Sequence, residues 1–124
     1  MKRIIATENA PKAVGPYSQA IEVRGTLYIS GQIPVVPADG SIPEDIQAQA
    51  HQCLTNIGAI LKEASMTYDN VVKTTVLLDD IANFGAVNEV YAQYFTGDKP
   101  ARACYAVAAL PLGVKVEIEA IAVK

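Results

Sequence analysis

The sequence predicts an α+β fold: a mixed six-stranded sheet with two helices on one face, all in a single domain spanning residues 1–124. Three observations carry this. Short β-branched runs alternate with two longer stretches whose apolar residues recur at three- and four-residue steps, in the order strands, helix, strand, helix, two strands. Two helices shield only one side of a sheet. Yet the last strand is apolar at both parities, with Ile118, Ala120 and Ala122 on one and Ile121 and Val123 on the other. The face left bare by the helices must therefore also be buried, which predicts a homo-oligomer.

In chain order, Lys2 to Ala6 reads as a first strand, followed by an irregular loop fixed by Pro11, Gly15 and Pro16. This loop delivers Tyr17 to the mouth of a second strand, Ser18 to Val23. Arg24-Gly25 turns that strand into a third, Thr26 to Ser30, as a hairpin. Gly31 to Pro34 is expected to end it. Ser41-Ile-Pro-Glu44 has the pattern of a capping box, so a helix should follow, with Ile46, Ala50, Cys53, Leu54, Ile57, Ile60, Leu61 and Ala64 as its buried stripe. Val71 to Leu78 reads as a buried strand. Asp79 and Asp80 precede a second helix with Asn83 as N-cap and Phe84, Val87, Tyr91, Tyr94 and Phe95 on its apolar face. After a stop at Thr96 to Pro100 come strands Ala101 to Val107 and Val114 to Val123, which local sequence alone would pair as a hairpin.

Composition narrows the function. With 124 residues, 51% of them hydrophobic, the chain can build a core without disulfides or metal. No apolar run approaches the roughly 18 residues of a membrane span. Two cysteines and no signal-peptide pattern predict the cytoplasm. A net charge of −3 with scattered basic residues disfavours nucleic acid as a partner. A single histidine, His51, excludes two-histidine metal motifs and reads as a solvated helix-surface residue; no metal or cofactor is expected. Cys53 falls on the helix stripe as a core residue.

The charges that need a reason are Arg102, among Ala101, Ala103, Cys104 and Tyr105, and Glu117, between Val116 and Ile118. Each sits in otherwise apolar, strand-like sequence, where a lone charge is costly and wants a partner or a ligand. Arg102 is either a structural ion-pair partner or a planar clamp on a substrate carboxylate. Glu117 is either a paired carboxylate or a group that manages a water molecule. Glu119, two residues on, reads as structural.

Gly15-Pro-Tyr-Ser-Gln-Ala20, Ile29-Ser-Gly-Gln-Ile-Pro34, Val87-Asn-Glu-Val-Tyr91, Pro100-Ala-Arg-Ala-Cys104 and Val116-Glu-Ile-Glu-Ala-Ile-Ala122, taken together and in this order, resemble the RidA/YjgF family of reactive imine deaminases. The resemblance spans nearly the whole chain. It implies a chorismate-mutase-like fold, with the last strand between the third and fourth, and a homotrimer with clefts between subunits. It also implies hydrolysis of 2-iminopropanoate and 2-iminobutanoate to 2-oxo acids and ammonia without a cofactor. Carried onto this chain, it implies that Arg102 holds the substrate carboxylate and that Glu117 manages the attacking water. Tyr17 would line the cleft from one subunit; Ser30 and Gly31 read as an anion-binding strand end or as plain turn chemistry, Asn88 as a cleft residue or a loop tie, and Cys104, on an apolar strand with no base in view, as contributing its backbone N–H rather than its thiol. Two other classes stay open: a non-catalytic trimer that binds small 2-oxo acids, and an endoribonuclease or translation inhibitor.

Overall fold

The computed structural model describes residues 1–124. Six strands, β1 (Arg3–Ile5), β2 (Ala20–Val23), β3 (Thr26–Gln32), β4 (Val71–Leu78), β5 (Ala101–Ala106) and β6 (Val116–Val123), form one sheet in the order β1-β2-β3-β6-β4-β5. Two helices, α1 (Ile46–Glu63) and α2 (Phe84–Tyr94), complete the mixed α+β architecture.

β6 inserts between β3 and β4, antiparallel to both, the place that the family resemblance implies, and the β5–β6 hairpin that local sequence alone would suggest does not form. The double apolar parity of β6 explains the choice: a strand apolar on both faces belongs in the middle of a sheet. β5 instead takes the edge, parallel to β4 across the α2 crossover. No helix is long and apolar enough to cross a membrane.

The core lies between the helices and one face of the sheet. Leu27, Ile29, Val76, Leu78, Val116, Ile118, Ala120 and Ala122 pack against Cys53, Leu54, Ile57, Leu61, Val87 and Val90. The stripe read on α1 is the buried one, and Leu54 and Ile57 are fully enclosed. Truncating either to alanine should cost about 2–5 kcal/mol. Cys53 donates from Sγ to the Val116 carbonyl (3.6 Å), and burial pushes its thiol pKa far above the ordinary value. On the opposite face no helix covers Tyr28, Tyr105 or Val123, all exposed.

Four local expectations are corrected. Ser41 does not cap α1: its N–H and hydroxyl both bind the Asp39 carboxylate (2.9 and 2.7 Å), and Asp45 is the N-cap, accepting from the Ala48 N–H at 3.0 Å. Asn83 does stand at the N-cap position of α2 but makes no side-chain cap bond, because a 3₁₀ turn over Ile81–Asn83 comes first and is capped by Asp80. His51 is half-buried, its Nδ1 2.8 Å from the Tyr94 hydroxyl at the helix–helix contact. β3 does not stop at Ser30 but continues through Gly31 and Gln32.

That continuation requires a β-bulge. Ile29 faces Ala120 and Gln32 faces Ile118, so Ser30 and Gly31 together oppose the single residue Glu119. Buried amides anchor the loops around this point. Gln19 bonds the main chain of Thr7, Ala10 and Pro11, and Asn56 donates to the carbonyls of Ile33 and Val35.

Candidate active site in two halves

Arg102 lies on the edge strand, and its pairing with Thr74 turns its side chain to the helix side of the sheet. There α2 presents Phe84, Asn88 and Tyr91 at positions i, i+4 and i+7, one helical face. The Arg102 guanidinium carbon sits 4.9 Å from the Tyr91 ring centre and 5.4 Å from that of Phe84, and Nη1 donates to Asn88 Oδ1 at 2.8 Å. No carboxylate pairs with it. Both ion pairs of the chain are made by Glu22, with Arg3 and with Lys124. The arginine is thus held by two rings and a neutral amide, with most of its donor fork unspent.

Cys104 follows on the same side, paired with Val76 and half-buried. Burial raises its thiol pKa, with Arg102 opposing the shift only in part. A thiol kept protonated is a poor nucleophile.

Glu117 belongs to the other face of the sheet. It pairs with Leu77, half-buried on the side away from the helices, and no hydrogen bond or ion pair satisfies its carboxylate within the chain. Burial raises its pKa above the ordinary carboxylate value, and the neighbouring Glu119 adds to the shift. Gly31, brought outward by the bulge, lies against this side chain: a Cβ there would come within 2.9 Å of Glu117 Cδ. Ser30 stands beside it, but its hydroxyl donates to the Ser18 carbonyl at 2.6 Å, so its one proton is committed.

Tyr17 is half-exposed in the loop before β2, where its N–H closes a turn onto the Gly15 carbonyl (2.8 Å). Tyr17, Ser18 and Gly31 line a cavity of about 900 Å³ together with Val14, Ile33 and Leu112. Neither Arg102 nor Glu117 reaches into it.

The predicted site residues therefore form two groups. Arg102, Asn88 and Cys104 gather at β5 and α2; Glu117, Gly31, Ser30 and Tyr17 gather around the bulge and its loop. Through β4, Arg102 aligns with Ala120, three residues along β6 from Glu117. With strand spacing and rise, their Cα atoms lie about 14 Å apart, on opposite faces of the sheet. One chain does not present both to one small substrate.

Sequence reasoning assigned Phe84 and Tyr91 to packing and overlooked their role as a shelf for Arg102. The phenylalanine, asparagine and tyrosine at i, i+4 and i+7 were the available signal. The Ser30-Gly31 bulge carries no such signal.

Comparison with known proteins adds to this geometry. A goat (Capra hircus) protein named 2-iminobutanoate/2-iminopropanoate deaminase is 58% identical over 125 residues, covering the whole of this chain and 91% of the relative. A Rid-family protein from Yersinia pestis, of unknown function, superposes with a TM-score of 0.97 at 51% identity over the full length of both chains. The structure of E. coli TdcF with bound serine superposes with a TM-score of 0.96 at 45% identity over 98% of each chain. The family model described as Endoribonuclease L-PSP matches residues 7–124, and with these relatives it shows that the chain belongs to the RidA/YjgF family.

Proposed function

We propose that this chain hydrolyses 2-imino acids, 2-iminobutanoate and 2-iminopropanoate, to 2-oxo acids and ammonia, at sites completed between the chains of a homotrimer. The observation that carries it is the pair of unpartnered charges: an arginine fork on a rigid shelf and a half-buried carboxylate with a raised pKa. The name of the goat relative and the identity to it support the substrate class.

Arg102 of one chain grips the substrate carboxylate through two parallel hydrogen bonds, aided by a backbone N–H near Cys104 of the same chain and one near Gly31 of the neighbouring chain. Glu117 of a neighbouring chain faces the imine carbon. As a water oxygen bonds to that carbon, the C=N π electrons pass to nitrogen and Glu117 accepts a proton from the water. Glu117 passes that proton to the carbinolamine nitrogen; as the C–N bond breaks, the hydroxyl oxygen forms the C=O bond and returns its own proton to the Glu117 carboxylate, and ammonia leaves a 2-oxo acid. A protonated imine is already electrophilic, so positioning supplies much of the acceleration. Asn88 fixes the arginine, while Tyr17, Ser30 and Gly31 shape the opposite wall.

The trimer is supported by the uncovered sheet face, where Tyr28, Tyr105 and Val123 meet solvent in the isolated chain. Two free cysteines fit a reducing cytoplasm, and residues 1–124 read as one domain. The test is a coupled assay in which a threonine dehydratase generates 2-iminobutanoate in situ. Ammonia and 2-oxobutanoate should appear faster than in the spontaneous blank, and equal rates would overturn the proposal. The description of the family model supports a second reading as an endoribonuclease, against which the net charge of −3 weighs. Cleavage of RNA by a nuclease-free preparation would favour it.

A further inference from the structure

We infer that Tyr91, fixed by the buried hydroxyl of Thr74, is a positioning residue that holds the Arg102 guanidinium at the angle needed to meet a carboxylate. This rests on the reading of Arg102 as the carboxylate clamp, and it adds residues to which no role in the reaction has been given.

Three contacts close a loop between adjacent elements. Thr74 on β4 is the strand partner of Arg102 on β5, so their backbones are locked side by side. The Thr74 hydroxyl is fully buried and lies 2.7 Å from the Tyr91 hydroxyl. The Tyr91 ring lies 4.9 Å beneath the guanidinium. The strand that carries the arginine thereby also sets the ring that supports it, through one hydrogen bond.

A bland alternative is that the two hydroxyls merely satisfy each other in the core. The geometry favours more than that. An unsupported arginine on an exposed edge strand samples many rotamers, and ordering it on substrate binding costs affinity. Here Asn88 restrains one nitrogen, Phe84 offers a second ring, and Tyr91 supplies the ring closest to the charge. Of these, only Tyr91 has its own hydroxyl anchored to the strand beside Arg102. The ring is thus kept from tilting, and the guanidinium plane with it. An arginine held in advance loses less freedom when it binds.

Three variants, Tyr91→Phe, Thr74→Val and Tyr91→Leu, separate anchor from ring, with affinity for 2-oxobutanoate measured by calorimetry and turnover on the in situ imine. Tyr91→Leu removes the cation–π support and should weaken binding about tenfold. Tyr91→Phe and Thr74→Val keep the packing and remove only the anchor. Each should weaken binding a few-fold and raise KM with little change in kcat, as expected for an interaction made equally in ground and transition states. The Tyr91→Phe/Thr74→Val double variant should be no worse than either single one, because both remove the same bond.

Native 2-oxobutanoate affinity in both anchor variants, with only Tm altered, would overturn the inference even if Tyr91→Leu failed to fold. Arg102→Lys serves as the control. Loss of binding there together with native binding in the anchor variants rejects the positioning role alone, whereas native binding in Arg102→Lys rejects the clamp on which it rests.

Discussion

The Glu117 side chain on β6 lies over Gly31 in the bulge of β3, at a spot that only a residue without a side chain can leave free. A Cβ at Gly31 would stand 2.9 Å from Cδ of Glu117 and 3.3 Å from its Cγ, and would overlap the carboxylate oxygen. The backbone of Gly31 does not lie in the left-handed region, so space rather than conformation demands glycine here.

Gly31→Ala should therefore push the Glu117 carboxylate aside while the sheet persists. Turnover is expected to fall by about 10²-fold, the scale of a misplaced catalytic group. A steady-state assay beside circular dichroism checks it, with an unchanged rate counting against the placement of Glu117.

The raised pKa of Glu117 has consequences for both activity and stability. If its carboxylate accepts a proton from water, activity falls on the acid side as pH drops through a value above 4.5. Glu119→Gln removes the secondary cause of the shift and should move that limb to lower pH. For stability the sign is opposite to that of a salt-bridged acid. The folded state holds this proton more tightly than the unfolded chain, so stability declines as pH rises through the window between the two pKa values. Glu117→Gln should consequently lower turnover by about 10²–10⁴ and leave Tm at neutral pH equal or higher. A pH–rate profile and thermal melts of both variants decide it.

Arg102→Lys keeps the charge but loses the planar fork and the stacking on Tyr91 and Phe84. Affinity for 2-oxobutanoate should drop at least tenfold, since a charge-assisted hydrogen bond contributes about 1.5–3 kcal/mol. Light scattering should give the variant the same mass as the unaltered chain.

Cys104→Ala should retain most of the activity, because burial keeps the thiol protonated and the proposed contact is to the main chain. Large loss of turnover with native 2-oxobutanoate binding would instead point to thiol chemistry.

How much of this was legible in the sequence depended on whether the deciding contact was local. The α1 stripe follows from spacing alone, whereas the central place of β6 was legible only through the family resemblance, because local sequence would pair it with β5 as a hairpin. The cap of α1 was misread because Ser41 and Asp45 are both capable caps, and the choice fell to a competing bond from Ser41 to Asp39. The bulge at Ser30-Gly31 left no trace, since an extra residue in a ladder is defined by the partner strand. The same holds for Arg102 and Glu117. Their chemistry was readable from residue type and context, but the face each occupies is set by pairing with β4, which local alternation does not reveal.

The separation of those two residues within one chain makes mixing of inactive variants the most direct test. Arg102→Lys and Glu117→Gln chains are co-refolded in equal amounts and assayed on 2-iminobutanoate generated in situ, at an imine level low enough that the weakened grip of the one and the lost carboxylate of the other each leave little activity alone. If each site joins Arg102 of one chain to Glu117 of the next, about a quarter of the sites in randomly mixed trimers carry both native residues, and activity should return to roughly that fraction of wild type. Hybrids that form, as shown by mass spectrometry, yet remain as inactive as either parent would contradict a site shared between chains.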